Sequence, residues 1–270
     1  MKGTSRNAHD AVLRAFDLVA SAAGKDGSRL ASELFAVVDA LDGSGSLRRA
    51  LTDPSRPADD KAALVDHLFA SYDERVRTVV TDLVRARWSE EEDLAQSIED
   101  SGSLALLAHA EADDTLHQVE DELFRVEREL MAHRSLLTAL GDRSTDAAQR
   151  VALLKDVMGS KVGPTTLALL ERKVSAPRDT RVLSAVRELV QAAAERRERL
   201  VARVTAAVEL SAAQRTRLAG LLKEAYGHEI QLNVAIDQEV LGGIKVQVGS
   251  EVVDGTVVSR LADARRRLVG

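Results

Sequence analysis

Glu33-Leu34-Phe35-Ala36-Val37-Val38-Asp39-Ala40-Leu41 returns 89 residues later as Glu122-Leu123-Phe124-Arg125-Val126-Glu127-Arg128-Glu129-Leu130. The same offset lays residues 33–70 on 122–159 without a gap, and 14 of the 38 aligned positions are identical. Self-similarity at a fixed spacing marks a repeated structural unit, and here the matches fall where a helical core needs them. Leu30, Leu34, Val37 and Leu41 step by four, three and four, and so do Val119, Leu123, Val126 and Leu130. Each set therefore forms one apolar stripe along a helix.

Working outward, Asp53-Pro54-Ser55-Arg56-Pro57 in the first copy corresponds to Asp142-Arg143-Ser144-Thr145-Asp146 in the second. Both are helix-start chemistry: Pro57 suits a first helical turn, and Asp146 favours the positive end of a helix dipole. A further helix follows in each, through Leu64 and Leu68 in one and Leu153 and Val157 in the other. Gly43-Ser44-Gly45-Ser46 predicts a loop, whereas Ala132-His133-Arg134-Ser135 can stay helical or bend less sharply. Ala11–Ala23 supplies an opening helix for copy one, and Gly102–Ala112 sits in the equivalent place for copy two. The expected architecture is mainly α: two tandem six-helix-type bundles, residues 1–100 and 101–178, followed by a small C-terminal α/β module.

That module, with a connector helix, occupies residues 179–270. Pro177 disfavours helix before it, and Asp179 or Thr180 caps a helix through Val182, Val186, Leu189 and Val190. The period then changes from helix to strand: Val204, Ala206 and Val208 alternate, as do Ile230, Leu232, Val234 and Ile236. Ser211-Ala212-Ala213-Gln214 is a capping box opening a helix with Leu218, Leu221 and Leu222 inward. Ile244, Val246 and Val248 form a third strand, Val252-Val253 a fourth, and a short helix with Leu261 and Leu268 closes the chain.

Composition fits this outline. Of 270 residues 45% are hydrophobic but only 3% aromatic, so the cores are filled by Leu, Val and Ala, as closely packed helices prefer. The 37 basic and 43 acidic residues are mixed along the chain, which argues against a nucleic-acid surface. No stretch reaches the roughly 18 consecutive apolar residues of a membrane span, and Arg14 and Asp17 interrupt what would otherwise read as a signal peptide. Cysteine is absent, which excludes disulfides and thiolate metal sites.

No motif carries chemistry. Gly159-Ser160-Lys161-Val162-Gly163-Pro164-Thr165-Thr166 has Lys on the wrong side of the second Gly for a phosphate loop and no strand ahead of it, so it reads as a helix-to-helix turn. Gly242-Gly243 lacks the third Gly of a dinucleotide fingerprint and reads as a tight entrance to a strand. No two His residues stand three to five apart, so neither a metal nor a cofactor is expected. Glu90-Glu91-Glu92-Asp93 reads as solvated surface, and Arg265-Arg266-Arg267 complements the end of its own helix. Trp88 is either a core anchor or an exposed contact.

Ile236-Asp237-Gln238-Glu239-Val240-Leu241-Gly242-Gly243-Ile244-Lys245-Val246-Gln247-Val248-Gly249, then Val253-Asp254-Gly255-Thr256-Val257 and Ser259-Arg260-Leu261, resembles the C-terminal signature of the δ subunits of F-type ATP synthases. Thr256 stands where that family usually has Ser. Residues 119–175 resemble the family's N-terminal helical domain, which makes the first copy the addition, an enlargement similar to δ subunits of actinobacteria. The resemblance implies a non-catalytic peripheral-stalk subunit with no active site, cofactor or small-molecule substrate. Its implied partners are N-terminal segments of α subunits, b-type stalk helices and the β subunit. It would lie on the cytoplasmic side of a bacterial cell membrane, attached only through partners. Ile236, Asp237, Gly242, Gly243, Gly249, Asp254, Gly255, Arg260 and Leu261 are the signature positions for structure or b-type binding. Leu34, Val37, Leu41, Leu123, Val126 and Leu130 are the candidates for a groove that takes an amphipathic partner helix. The extra copy offers a second such groove or lengthens the strut. A free-standing helical adaptor and a helical enzyme are the competing readings.

Overall fold

The computed structural model describes residues 1, 3–178, 181–199, 201–226, 230–237, 242–249 and 251–255. They fall in two compact units, Met1–Ala193 and Ala194–Gly270.

The helical unit opens with α1 (Gly3–Ala23), α2 (Gly27–Gly43), α3 (Gly45–Thr52), α4 (Ala58–Leu68) and α5 (Glu74–Arg85). It continues with α6 (Glu91–Ala112), α7 (Leu116–Ala132), α8 (Arg134–Gly141), α9 (Ala147–Met158), α10 (Pro164–Ser175) and, as far as Ala193, α11 (Val182–Arg199). The sequence offset is thus an offset of elements: α2 to α5 recur as α7 to α10. α1 and α6 each end on a left-handed residue, Gly24 at φ 55° and Asp114 at φ 57°, which turns the chain into the next helix. Each copy has six helices because α6 counts twice, closing the first and opening the second. The boundary expected between residues 100 and 101 falls in the middle of this one helix.

α6 can serve two bundles because it is buried on every side, and its residues are small where neighbours press closest. Ser97, Ser101, Gly102, Ser103, Ala105, Ala108 and Ala110 are all buried. The ring of Phe35 on α2 lies so close to Gly102 that a Cβ there would collide with it. His9 Nδ1 on α1 meets Ser97 Oγ at 3.0 Å, and Arg172 on α10 reaches Glu99. A helix apolar or small all round is what the centre of a larger assembly needs.

The repeated residues do repeated jobs. Asp53 Oδ1 accepts the backbone N–H and hydroxyl of Ser55 at 2.8 and 2.7 Å, and Asp142 Oδ1 accepts those of Ser144 at 2.9 and 2.7 Å. Those bonds, the side-chain one first, hold both carboxyls below the ordinary carboxylate range. Pro57 occupies the N-cap of α4 rather than its first turn, and Asp146, at the positive end of α9 as expected, is its N-cap, Oδ1 accepting the N–H of Ala148 at 2.7 Å. The loop expected at Gly43–Ser46 shrinks to one residue. Ser44 alone leaves the helix, its Oγ accepting the Leu47 N–H at 3.2 Å, and His133 breaks the second copy at the same place.

In the second unit β1 (Val201–Ala206), α12 (Ala212–Tyr226), β2 (Gln231–Ile236), β3 (Ile244–Val248) and β4 (Glu251–Asp254) form one sheet in the order β2-β1-β3-β4 with α12 as crossover. β1 pairs in parallel with β2 and antiparallel with β3, which pairs antiparallel with β4. Ala202, Val204, Ile230, Val246 and Val248 are its buried core, with Leu218, Leu222 and Tyr226 packed against them. Ser211 and Gln214 form the expected reciprocal capping box at 2.8 and 3.3 Å. Two inward assignments shift: β1 ends at Ala206 and leaves Val208 70% exposed, and Leu221 is 55% exposed because the inward face of α12 runs through Leu218 and Leu222. Thr256, Arg260, Leu261, Arg265–Arg267 and the expected terminal helix lie outside the described residues.

Candidate functional site

Leu34, Val37, Leu41, Leu123, Val126 and Leu130 are all buried, none more than 2% exposed. They make the bundle interiors, so on this chain no surface groove is lined by them. A periodic stripe marks burial and is silent about whether its own chain or a partner does the burying.

The apolar groove at the surface runs instead between α1 and α5. Val12, Ala15, Phe16 and Val19 form one wall, and Glu74, Arg75, Thr78, Val79 and Asp82 the other, enclosing about 310 Å³. Phe16 and Val79 are its buried floor, while Val19 is 38% and its neighbour Leu18 59% exposed. One end is fixed by charge. Arg75 donates to both oxygens of Asp73 at 2.9 Å and to Asp26 at 3.0 Å, and Arg29 reaches Asp73 at 2.6 Å. These bonds, Arg75's first, hold the Asp73 carboxyl well below the usual range. Composition drew attention to Ala11–Ala23 only as an opening helix; Val12, Phe16 and Val19 at i, i+4 and i+7 were the available signal for its groove face.

The two copies are joined through buried charge. Glu99 is fully buried and takes Arg172 Nε at 2.8 Å and Lys173 Nζ at 3.2 Å. Arg172 Nη1 donates to Asp39 at 2.6 Å, and its guanidinium stacks 4.8 Å from the Phe35 ring centroid. Burial disfavours that cation, but Glu99 and Asp39 more than offset it and raise its pKa. Beside this lies a charged cleft of about 630 Å³ lined by Arg6, His9, Asp42, Asp100, Arg178 and Glu188 among others. Burial raises the pKa of Asp100 and Glu188, while Arg178 pairs with Asp42 at 2.7 Å across the copies. Among the described residues no group of three His, Asp or Glu side chains could hold a metal. Trp88 is half-buried, its Nε1 donating to the Leu83 carbonyl at 2.8 Å.

In the sheet unit the signature positions are turn chemistry. Gly242, Gly243 and Gly249 have φ of 139°, 83° and 55°, values that favour glycine. The Asp237 N–H donates to the Ala206 carbonyl at 2.9 Å and the Gly255 N–H to that of Ile244 at 3.0 Å, fastening the ends of strands. Ile236 is 57% exposed, and Asp254 lies on the exposed edge strand beside Val252 and Val253. Arg260 and Leu261 lie outside the described residues.

Residues 98–268 match the family described as ATP synthase delta (OSCP) subunit. A chain of Beutenbergia cavernae called ATP synthase subunit delta is 47% identical over 271 residues, 100% of both chains. Another so called, from Streptomyces avermitilis, is 43% identical over 267 residues, 98% of both. A Mycobacterium sp. chain called ATP synthase subunit b-delta is 39% identical over 270 residues, covering 99% of this chain and 61% of that one. The family match begins within α6, and the full-length relatives extend the similarity over the first copy as well.

Proposed function

The chain belongs to the ATP synthase delta (OSCP) subunit family, and from that premise we propose how it divides the work of holding the complex together. It is a non-catalytic subunit of the peripheral stalk of an F-type ATP synthase, and its partners are other subunits of that complex. The helical unit grips the catalytic head through N-terminal segments of α subunits, with β as a further contact. The sheet unit holds the b-type stalk, with the turns around Gly242, Gly243 and Gly249 shaping the surface that meets it. A relative whose name joins b and delta in one chain supports the second assignment. No helix among the described residues is long and apolar enough to cross a membrane, so attachment on the cytoplasmic face runs through the b-type partner.

One observation carries the mechanical part of this reading: the two copies share α6 and are stitched by Glu99, Arg172, Lys173 and Asp39. A rotary synthase loses coupling if the head turns with the rotor, so the stalk must resist torque. Copies 1–100 and 101–178 built on one continuous helix have no hinge linker between them at which that load would be lost. In this protein the added copy thus extends a single stiff body.

Affinity purification of the full chain from native membranes in mild detergent tests the assignment. Recovery of α, β and b-type subunits in one complex is the expected result. Recovery of the chain without them would favour the free-standing adaptor.

A further inference from the structure

Each copy carries a phenylalanine at the same place on its second helix, and only the first of the two is covered. Phe35, Asp39 and Asp42 stand at i, i+4 and i+7 on one stripe of α2. The Phe35 ring presses on Gly102 of α6 and stacks with Arg172 of α10. Asp39 accepts from Arg172 Nη1 at 2.6 Å, and Asp42 from Arg178 Nη1 at 2.7 Å. A ring in the gap left by a glycine, and two acids on two arginines, seat this stripe against the second copy.

The 89-residue offset turns the same stripe into Phe124, Arg128 and Met131 on α7. Phe124 is 51% and Met131 57% exposed. Arg128 between them is exposed and has no ion-pair partner among the described residues. Arg125 beside it donates only to the Asp121 carbonyl, at 3.4 Å. Arg187 Nη2 rests on Met131 Sδ at 3.5 Å, but its Nε is already taken by Glu127 at 2.7 Å. His117 and Asp121 close the stripe upstream, 3.3 Å apart. Solitary exposed apolar side chains are common on any protein surface. Here two of them share one helical face with an unpaired arginine, and it is the face that docks in the other copy. Where α2 offers two acids, α7 offers a cation and a thioether, so the surface that fits α7 has the opposite charge to Arg172 and Arg178.

We propose that the Phe124–Arg128–Met131 face of α7 is an interaction surface for an acidic amphipathic helix of another subunit. A Gly or Ala of that helix takes the Phe124 ring as Gly102 takes Phe35. A Glu or Asp pairs with Arg128 as Asp39 pairs with Arg172, with the charges exchanged, and an aliphatic side chain covers Met131. An aromatic ring and an arginine are the anchors such interfaces use most, and Met adapts its shape to what covers it. The α1–α5 groove, with Glu74 and Asp82 on its wall, repels a helix of this charge. The stalk reading enters only in placing the partner among the synthase subunits; the face and its charge do not depend on it.

The test uses the full chain with its four phenylalanines replaced by para-fluorophenylalanine and read by fluorine NMR. Phe124→Leu assigns the signal of that ring, and Phe16→Leu that of the groove floor. Two synthetic helices share one stripe of Ala and Leu, flanked by Glu in one and by Lys in the other. The Glu helix should shift the Phe124 signal, leave that of Phe16 in place, and bind at Phe124 at least about tenfold more tightly than the Lys helix. Arg128→Glu, at an exposed position, should weaken the Glu helix about tenfold and improve the Lys helix. A Phe124 signal that moves with neither helix, equal affinities there, or Glu-helix binding unchanged by Arg128→Glu would each overturn the proposal. A Phe124 signal that moves with protein concentration before any helix is added would put a second copy of the chain on this face, and would overturn it too. The titration needs no other subunit, so failure of the chain to co-purify with synthase subunits would overturn the stalk reading and leave these outcomes standing.

Discussion

The Glu122 carboxylate accepts the backbone N–H of Gly163 at 2.8 Å, so a residue in the second helix of a copy caps the fifth. Glu33 does the same in the first copy, accepting the N–H of Asp73 at 2.7 Å. The Glu repeated in sequence is therefore a tertiary cap: it brings negative charge to the positive end of the fifth helix, joining Asp73 and Glu74 at the start of α5 and standing in for the missing acid at the start of α10. In the second copy Thr166 Oγ1 and Gln118 Nε2 also donate to Glu122, at 2.6 and 2.7 Å. Burial pushes this carboxyl up, but the three bonds outweigh it and hold it below the usual range.

Glu122→Ala leaves the Gly163 N–H and the Thr166 hydroxyl without their acceptor, and Glu122 is only 3% exposed. Losing a buried, charge-assisted bond of this kind costs about 1.5–3 kcal/mol. Because the folded pKa is lowered, the contribution is fully present above the unfolded value of about 4.3 and drains away as pH falls through the folded value. Urea unfolding of both proteins should therefore show a gap that is constant at neutral pH and narrows on strong acidification. A gap independent of pH would mean that the side chain acts by packing alone.

Glu99→Gln strands Arg172 and Lys173, two cations only 9% exposed, beside a neutral amide. Breaking a buried pair by removing one partner costs about 3–5 kcal/mol. Asp39→Asn, where the acid is 61% exposed, should cost under about 1 kcal/mol. Thermal melts of the two variants against the parent distinguish them. Similar shifts would show that the Glu99 cluster is solvated in solution.

The helical order was legible in the sequence because matched residues such as Glu33 and Glu122 or Asp53 and Asp142 repeat a structural task, and a task fixes residue type and spacing together. α6 was not, since α1 and α6 share a place in the fold but not a sequence: Val12 faces an open groove where Gly102 faces a ring. Small residues at Ser97, Ser101, Gly102 and Ala105 were the sign of a helix packed on all sides, although such a run also suits an ordinary surface helix. Leu34 and Leu123 announced burial correctly, but nothing in their periodicity said that α2 and α7 would bury them within the chain. The groove depended on what leaves Val12, Ala15 and Val19 uncovered, which is a property of the whole bundle and of no local pattern.

In the sheet unit Tyr226 donates its hydroxyl to Glu251 at 2.7 Å, tying α12 to the edge strand β4. Burial first, then the bond and the charge of Glu251, push the phenol up to about 12. An acid that ionises later when folded makes the protein lose stability as pH rises from about 10 toward that value. Glu251→Gln should bring the phenolate absorbance transition of Tyr226 down, and Tyr226→Phe should remove that transition. An unchanged titration in Glu251→Gln would place the cause in burial alone.

Dividing the chain at residue 100 should destroy both halves, for a reason that follows from α6. A fragment of residues 1–100 keeps only the first half of the helix against which α1 and α2 pack, and loses Gly102, Ala105 and His109, where Phe35 and Gly27 rest. A fragment starting at 101 loses Glu99 and with it the counter-charge of Arg172 and Lys173. Two other cuts keep α6 whole: residues 1–112 retain a complete first copy, and residues 91–270 retain the second copy with the sheet unit. The first should fold cooperatively, though it leaves Glu99 without Arg172 and Lys173, its partners in the second copy. The second should fold but associate with itself, because Gly102, Ala105 and Ala108 lose their cover. Circular dichroism melts and light scattering of the four fragments read this directly. A cooperative transition in residues 1–100 would show that the first bundle closes without the helix the two copies share.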